Sequence, residues 1–247
     1  MKKLISLVMA LVLAFSFSAS AFAKSGKKTC TTVSDTIKFV IYDGKKTAPP
    51  ISVTKAKLTQ NGAEKTVYVI GLLGTESNKG QVNNIDNCML AFLCLDNSYA
   101  RLVKQVIKEN IKKNSSLIIV GHSLGGMVAQ QVVCDKEIKE NYNIIGTVTA
   151  GSPYIITFAK PEGTVNRLAD LGDFIPKLSL ATILRPIKQF ATPIYANGGY
   201  LLDPDGAHNK SYIDENVWGE YDVLGNKDGG AKLTFYSSDT VLFGAAE

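Results

Sequence analysis

The stretch Ser116-Leu-Ile-Ile-Val-Gly-His-Ser-Leu-Gly-Gly-Met-Val-Ala-Gln-Gln-Val-Val133 decides the fold. Its first five residues form an apolar, β-branched run that predicts a buried strand, and the residues from Leu124 onward carry apolar side chains at helical spacing. Between the two lies Gly121-His-Ser-Leu-Gly125. A turn this sharp strains its central residue, and the glycines on either side let neighbouring backbone approach. The pattern predicts a nucleophile elbow that exposes Ser123.

Strand and helix patterns alternate around this elbow. Residues 97–113 carry apolar side chains on one face and lysines on the other, which predicts a helix capped by Asp96 or Asn97. The dipeptide Asn61-Gly62 suits the positive φ angles of a two-residue hairpin turn. The predicted strands cover residues 35–42, 51–60, 64–72, 116–120, 142–150 and 165–171, with a final edge strand over 232–243. This order predicts an α/β fold with a mostly parallel sheet, an antiparallel N-terminal hairpin and helices on both faces.

A serine hydroxyl needs an adjacent base, usually an imidazole that a carboxylate orients. The chain has two histidines. His122 adjoins Ser123 within the elbow, so its side chain is directed away from the nucleophile and serves packing or a local hydrogen bond. His208 is then the predicted base.

The acid is expected between Ser123 and His208, because this type of elbow is followed by the acid and then the histidine. Five carboxylates meet that condition: Glu162, Asp170, Asp173, Asp203 and Asp205. Asp173 follows Gly172 after a predicted strand, and open α/β sheets gather their sites at the carboxyl ends of strands. Asp173 is therefore the predicted acid.

An acyl-transfer site also needs hydrogen-bond donors for the oxyanion. One is the backbone N–H of Leu124, the residue after the nucleophile. The second is expected in the loop Gly71–Glu76, which follows an earlier apolar strand. No metal or organic cofactor is expected.

These landmarks resemble the class 3 lipases, the fungal triacylglycerol lipase type, over about residues 64 to 213. The resemblance rests on Gly74-Thr-Glu76, Val120-Gly-His-Ser-Leu-Gly-Gly126, Ala150-Gly-Ser-Pro153, Gly172-Asp-Phe-Ile-Pro176 and Ala207-His208 followed by Tyr212. It implies an α/β-hydrolase fold, a catalytic triad of Ser123, Asp173 and His208, and Thr75 as an oxyanion donor. It also implies a carboxylic-ester substrate, of acyl-lipid type. Two alternatives stay open: an esterase for small acyl or aromatic esters of polysaccharide, and a non-catalytic binding protein.

The first residues are typical of an export signal, with Lys2 and Lys3, an apolar stretch from Leu4 to about Phe15, and the small-residue ending Ala21-Phe-Ala23. The apolar stretch is too short to span a membrane. We expect cleavage after Ala23, a single α/β-hydrolase domain over residues 24–247, and a secreted or periplasmic protein without a transmembrane segment. The oligomeric state is left open.

Charge and cysteine content limit the possible partners. The net charge is +5 and the lysines are scattered, so no nucleic-acid partner is expected. Four cysteines, Cys30, Cys88, Cys94 and Cys134, allow three disulfide pairings in an oxidising compartment, of which Cys88 with Cys94 is the first to test. Their spacing suits no zinc site.

The segment Cys88-Met-Leu-Ala-Phe-Leu-Cys-Leu95 allows two hypotheses. It is either a buried strand or helix turn of the core, or a lid that covers the acyl pocket in water and opens at a lipid surface.

Overall fold

A computed structural model describes residues 26–42, 49–76, 81–157, 159–178 and 193–244. The export signal expected over residues 1–23 lies outside the described residues. None of the helices in the described ranges is long and apolar enough to cross a bilayer.

Eight strands form one sheet in the order β1-β8-β2-β3-β4-β5-β6-β7. The strands are β1 (Lys27–Cys30), β2 (Ile51–Gln60), β3 (Ala63–Leu72), β4 (Ser116–His122), β5 (Asn143–Ala150), β6 (Thr164–Asp170), β7 (Ile194–Ala196) and β8 (Lys232–Phe243). Every pair from β3 to β7 is parallel, and the pairs among β1, β8, β2 and β3 are antiparallel. The predicted fold class, a mostly parallel sheet of α/β-hydrolase type, is confirmed.

Helices cover the sheet. The α-helices in the described part of the chain are α1 (Val33–Ile37), α2 (Ile85–Phe92), α3 (Ser98–Asn110), α4 (Leu124–Val132), α5 (Lys136–Asn141), α6 (Pro204–Asn209) and α7 (Glu215–Trp218). Helix α3 begins after Asn97, whose side chain accepts a hydrogen bond from the backbone N–H of Ala100 at 2.8 Å, as an N-cap does. The predicted helix and its cap are confirmed, although the helix ends at Asn110 rather than Lys113.

Two apolar clusters occupy the two faces of the sheet. One joins α2, α3 and α4 to inward-facing residues such as Leu117 and Ile119 of β4, and the other joins α1 and Trp218 to Ile118 and Val120 of the same strand. All seven residues of β4 are buried, which explains its continuous apolar sequence. The strand that leads to the elbow is therefore fixed from both sides.

The hairpin between β2 and β3 turns at Asn61 and Gly62. Their φ angles are 52° and 78°, and Gln60 pairs directly with Ala63. Positive φ at both central residues is the signature of the hairpin turn that suits the right-handed twist of the strands. The predicted hairpin is confirmed.

The strand predicted over residues 35–42 is wrong. The chain forms α1 there and continues into a π-helical segment, Lys38–Tyr42. Thr32 caps α1 by accepting from the N–H of Asp35 at 3.2 Å. The buried residues Val33, Ile37, Val40 and Ile41 recur at helical spacing, and this periodicity overrides the alternation on which the strand prediction rested.

The strand predicted over residues 232–243 is present, but its edge position is wrong. β8 lies between β1 and β2, because residues 27–30 pair with residues 233–236. The short strand β1 has no sequence pattern of its own that predicts it.

All four cysteines are free thiols in the structure. The pairing of Cys88 with Cys94 is therefore not formed. Cys88 lies within α2, and Cys94 follows the end of that helix with a positive φ of 54°.

Candidate active site

Ser123 joins β4 to α4 in strained backbone geometry. Its φ is 53° and its ψ is −120°, a region that residues with a side chain rarely adopt. A Cβ at Gly121 would collide with the carbonyl of Gly125, and one at Gly125 would collide with the carbonyl of Leu72. Both glycines are thus required for the turn, and the geometry is that of the predicted elbow.

Asp173 and His208 meet at this edge of the sheet. His208 Nδ1 lies 2.9 Å from Asp173 Oδ2, with the carboxylate fully buried and the imidazole 18% exposed. Asp173 follows β6, and His208 lies in α6, which Asp203 caps by accepting from the N–H of Gly206 at 2.9 Å. The loop after β6 and the short helix α6, which are distant in sequence, therefore bring an acid and a base together.

Asp173 is held by three donors. Its Oδ2 accepts from His208 and from the hydroxyl of Tyr212, at 2.8 Å for the latter, and its Oδ1 accepts from the N–H of Ile175 at 2.9 Å. A buried carboxylate needs such donors, because an unsatisfied charge would be costly. The three bonds fix the carboxylate in the orientation that faces His208.

The other carboxylates considered for the acid have different contacts. Asp170 is fully buried and accepts from the N–H of Gly172 at 2.7 Å, the N–H of Gly198 at 2.9 Å and the hydroxyl of Ser211 at 2.7 Å. These bonds connect the end of β6 to the loop before α6 and to the residues after it. Asp170 therefore ties the loops together, but it does not contact the imidazole.

The remaining three carboxylates are not the hydrogen-bond partner of the His208 imidazole, which is Asp173. Asp203 caps α6, and Asp205 accepts from the side chain of Asn209 at 2.8 Å. Glu162 precedes β6, so it lies at the opposite end of that strand from Asp173.

Ser123 and His208 line one cavity of about 420 Å³. The other lining residues are Ile41, Tyr42, Leu73, Gly74, Thr75, Glu76, His122 and Asn209. A Cβ at Gly74 would lie 3.0 Å from the Cβ of Ser123, so the loop after β3 runs directly against the nucleophile. The cavity therefore brings together the predicted nucleophile, base and oxyanion loop.

The oxyanion loop is fixed by two side chains from elsewhere. The buried hydroxyl of Tyr99 donates to the carbonyl of Leu73 at 3.1 Å or to that of Pro50 at 2.9 Å, and the amide of Asn83 donates to the carbonyl of Gly74 at 2.8 Å. These bonds hold the segment that carries Thr75. Leu124 is the first residue of α4, so its N–H is one of those that a helix leaves without an internal acceptor.

His122 lines the cavity and also contacts the backbone of His208. Its Nε2 lies 2.8 Å from the backbone carbonyl of His208, and the two rings are 4.7 Å apart between centroids. Since a carbonyl oxygen only accepts, Nε2 carries the proton. Burial, reinforced by the neighbouring His208, lowers the pKa of His122 to about 3. The ring is therefore neutral near pH 7.

Tyr42 is a cavity residue that sequence reasoning missed. The π-helical segment after α1 places its ring 5.7 Å from that of His122, and its buried hydroxyl has no hydrogen-bond partner among the residues that the structure describes. Burial raises the pKa of this phenol, so it stays protonated. The helical spacing of apolar residues that places Tyr42 here was obscured, because the same residues also alternate in the manner of a strand.

The segment Cys88–Leu95 forms the second half of α2 and the turn after it. Ala91 is buried and Phe92 packs partly against the core, whereas Met89 and Leu93 are 63% and 51% exposed. The segment is thus a helix with one face on the core and an apolar face in solvent. The lid remains a hypothesis.

The sheet order and the strained elbow define an α/β-hydrolase fold. A protein-family profile described as the PGAP1-like alpha/beta domain matches residues 81–181, and that family is of the α/β-hydrolase type. The matched stretch includes Ser123 and Asp173, whereas Thr75 and His208 lie outside it. No curated protein matches the chain.

Among the residues with described positions, no three His, Cys, Asp or Glu side chains cluster as metal ligands would.

Proposed function

We propose that this protein is an exported serine hydrolase that cleaves carboxylic esters, with acyl lipids as its substrates. The observation that carries the proposal is that His208, which is hydrogen-bonded to Asp173, lines the same cavity as the strained Ser123. The α/β-hydrolase fold and the resemblance to class 3 lipases support the same conclusion. The sequence of residues 1–23 supports export.

In the proposed reaction, Ser123 Oγ attacks the acyl carbonyl while His208 takes its proton. His208 then returns that proton to the departing alcohol, which leaves an acyl-enzyme, and a water molecule activated by the same imidazole releases the acid. Asp173 orients the imidazole and stabilises its charged form.

The oxyanion of each tetrahedral intermediate needs donors that are in place beforehand. In the proposed site these are the N–H groups of Leu124 and Thr75. The positive end of α4 adds to the stabilisation, because the N-terminus of a helix favours negative charge. The bonds from Tyr99 and Asn83 keep the second donor loop in position.

A lipid-type substrate is supported by apolar side chains on the loops that carry the site. Phe174 adjoins Asp173 and is 53% exposed, and Leu202, at the entry to α6, is fully exposed. On α2, Ile85 and Met89 are each 63% exposed. Such residues are costly to leave in water and gain free energy against acyl chains.

A fluorophosphonate probe tests the proposed chemistry, because it labels an activated serine. We expect labelling of the protein at Ser123 and none in Ser123→Ala, with both proteins folded by circular dichroism. Absence of labelling in the folded wild type would favour the non-catalytic alternative. A series of p-nitrophenyl esters from acetyl to palmitoyl then tests the substrate class. A preference for acetyl, with no turnover of long chains, would favour the polysaccharide-esterase alternative.

A further inference from the structure

The hydroxyl of Tyr212 and the imidazole of His208 share one oxygen of Asp173. The distances to Oδ2 are 2.8 Å from Tyr212 Oη and 2.9 Å from His208 Nδ1. Tyr212 is fully buried, and its oxygen also accepts from the backbone N–H of Asp170 at 3.0 Å. With that N–H as donor, the tyrosine proton is directed at Asp173.

A hydrogen bond from a neutral donor disperses the charge of a carboxylate and weakens its attraction for a neighbouring cation. Because Tyr212 and His208 bind the same oxygen, the charge available to the imidazole is smaller than an unshared carboxylate would offer. Burial and the charge of Asp173 raise the pKa of Tyr212, so its hydroxyl keeps the proton that makes this bond.

We propose that Tyr212 is a positioning residue that holds Asp173 in place and takes up part of its charge. Sharing Oδ2 with Tyr212 weakens the stabilisation that Asp173 gives to the charged imidazole of His208. A neutral imidazole is the form that can act as a base toward Ser123, so the hydroxyl extends the active range toward acid. This inference rests on the proposed hydrolase function.

Other groups near His208 set the background for this effect. Within the described part of the chain, the titratable side chains that share its surroundings are Asp173 after β6, His122 on β4, Tyr212 after α6, Tyr42 and Glu76 in the same cavity, and Asp203 and Asp205 around its own helix. The substitution Tyr212→Phe leaves all but one of them in place. Any change in the titration of His208 is then traceable to the lost hydroxyl.

Proton NMR of the imidazoles measures this directly, because the chain has two histidines. His122 has a pKa of about 3, and the variant His122→Gln removes its ring, so the resonance that remains in that variant is assigned to His208. We expect the midpoint of that titration to rise by about half a unit to one unit in Tyr212→Phe. Tyr142→Phe is the matched control, since it removes a buried hydroxyl that contacts the carbonyls of Ile107 and Ile111 instead.

A double-mutant cycle separates charge sharing from a general loss of structure. In the Asp173→Asn background the acceptor is neutral, so Tyr212→Phe should no longer raise the midpoint. A midpoint that fails to rise in folded Tyr212→Phe, or that rises equally in both backgrounds, overturns the inference. If Tyr212→Phe does not fold, a fluorinated tyrosine at position 212 replaces it. Its more acidic hydroxyl is a stronger donor, so the midpoint should fall, and an unchanged or higher midpoint overturns the inference.

Kinetics provide a second readout and keep the two proposals distinguishable. Tyr212→Phe should lower kcat on a soluble ester about three- to tenfold with KM nearly unchanged, because the orientation of Asp173 loosens while the substrate cavity stays intact. If the wild type turns over no ester, the proposed function fails, but the NMR titration is still measurable. If esters are hydrolysed and the midpoint does not move, only the role of Tyr212 fails.

Discussion

The Nε2–H of His122 donates to the backbone carbonyl of His208 at 2.8 Å, so the two histidines of this chain are joined by a direct hydrogen bond. The residue beside the nucleophile thereby supports the backbone of the base. This bond requires a proton on Nε2, and because the lowered pKa keeps the ring neutral near pH 7, that proton is the one the ring retains.

His122→Gln tests this support while retaining an amide that can donate to the carbonyl. We expect it to keep most of the esterase activity, whereas His122→Ala should lose more because the carbonyl of His208 loses its donor. Turnover of p-nitrophenyl butyrate by the two variants, compared at equal folded fraction, is the measurement. Equal activities would contradict a hydrogen-bonding role, and complete loss in folded His122→Gln would indicate a direct catalytic role.

The buried His122 also predicts how stability depends on pH. Its pKa is about 3 in the folded protein and about 6.5 in the unfolded chain, so the unfolded state alone binds a proton between these values. The stability contributed by the neutral ring is therefore complete above about pH 6.5 and is lost as the pH falls, by about 1.4 kcal/mol per unit well inside that window.

Urea unfolding of wild type and His122→Gln at neutral pH and at about pH 4 measures this contribution. The variant lacks the titrating ring, so its free energy of unfolding should fall less on acidification than that of the wild type. Parallel losses in the two proteins would contradict the assignment.

Asp173→Asn and Asp170→Asn should affect different quantities: the first should lower kcat, and the second should lower the free energy of unfolding. Asp173→Asn should lower kcat by about 10⁴ with the fold preserved, because an amide neither stabilises the imidazolium nor holds the correct tautomer. Asp170→Asn should instead reduce the free energy of unfolding by about 1–3 kcal/mol, because one of its three donors loses an acceptor. Kinetics and thermal unfolding of both variants distinguish the roles. A folded Asp170→Asn that is less active than Asp173→Asn would overturn the acid assignment.

Gly125→Ala tests the elbow itself. The added Cβ would meet the carbonyl of Leu72, which is backbone and has little freedom to move. We expect loss of fluorophosphonate labelling together with a destabilisation of about 1–3 kcal/mol, the usual cost of overpacking. Gly230→Ala is the control, because a Cβ there meets nothing within 4 Å. Unchanged labelling in Gly125→Ala would show that the turn is less constrained than its geometry indicates.

The lid hypothesis is best tested on the exposed face of α2. Met89→Ser should change the free energy of unfolding by less than about 0.5 kcal/mol, since the side chain is mostly in solvent. In a lid it should reduce activity on an emulsified long-chain ester more than on a soluble short one. Phe92→Ser, which removes a side chain that packs partly against the core, is the comparison for stability. Equal effects of Met89→Ser on both substrates would argue against a lid.

The features that sequence predicted correctly are local ones. The elbow, the Asn61-Gly62 turn and the cap at Asn97 each depend on the conformational preferences of a few adjacent residues. The placement of Asp173 at the end of a strand followed from the general position of sites in parallel sheets. In the structure, Asp173 Oδ2 lies 2.9 Å from His208 Nδ1.

The features that sequence missed depend on contacts between distant segments. Alternation over residues 35–42 favoured a strand, but burial of one helical face decided the outcome, and Tyr42 reached the cavity as a result. The hydrogen bond from Tyr212 to Asp173 likewise joins residues that are 39 positions apart in sequence. Pattern analysis alone has no access to such pairings.

The pairing of β1 with β8 has a consequence for how the chain folds. Thr29 and Thr234, which lie opposite each other and share a hydrogen bond, are 205 residues apart in sequence. Closing so long a loop is entropically costly, so contacts of this kind tend to form late and slow the folding of sheets that contain them. Until β1 docks, β8 would expose a row of unpaired backbone groups that another chain could extend. Docking of the four residues of β1 pairs the backbone of residues 233–236 and so removes that part of the exposed edge.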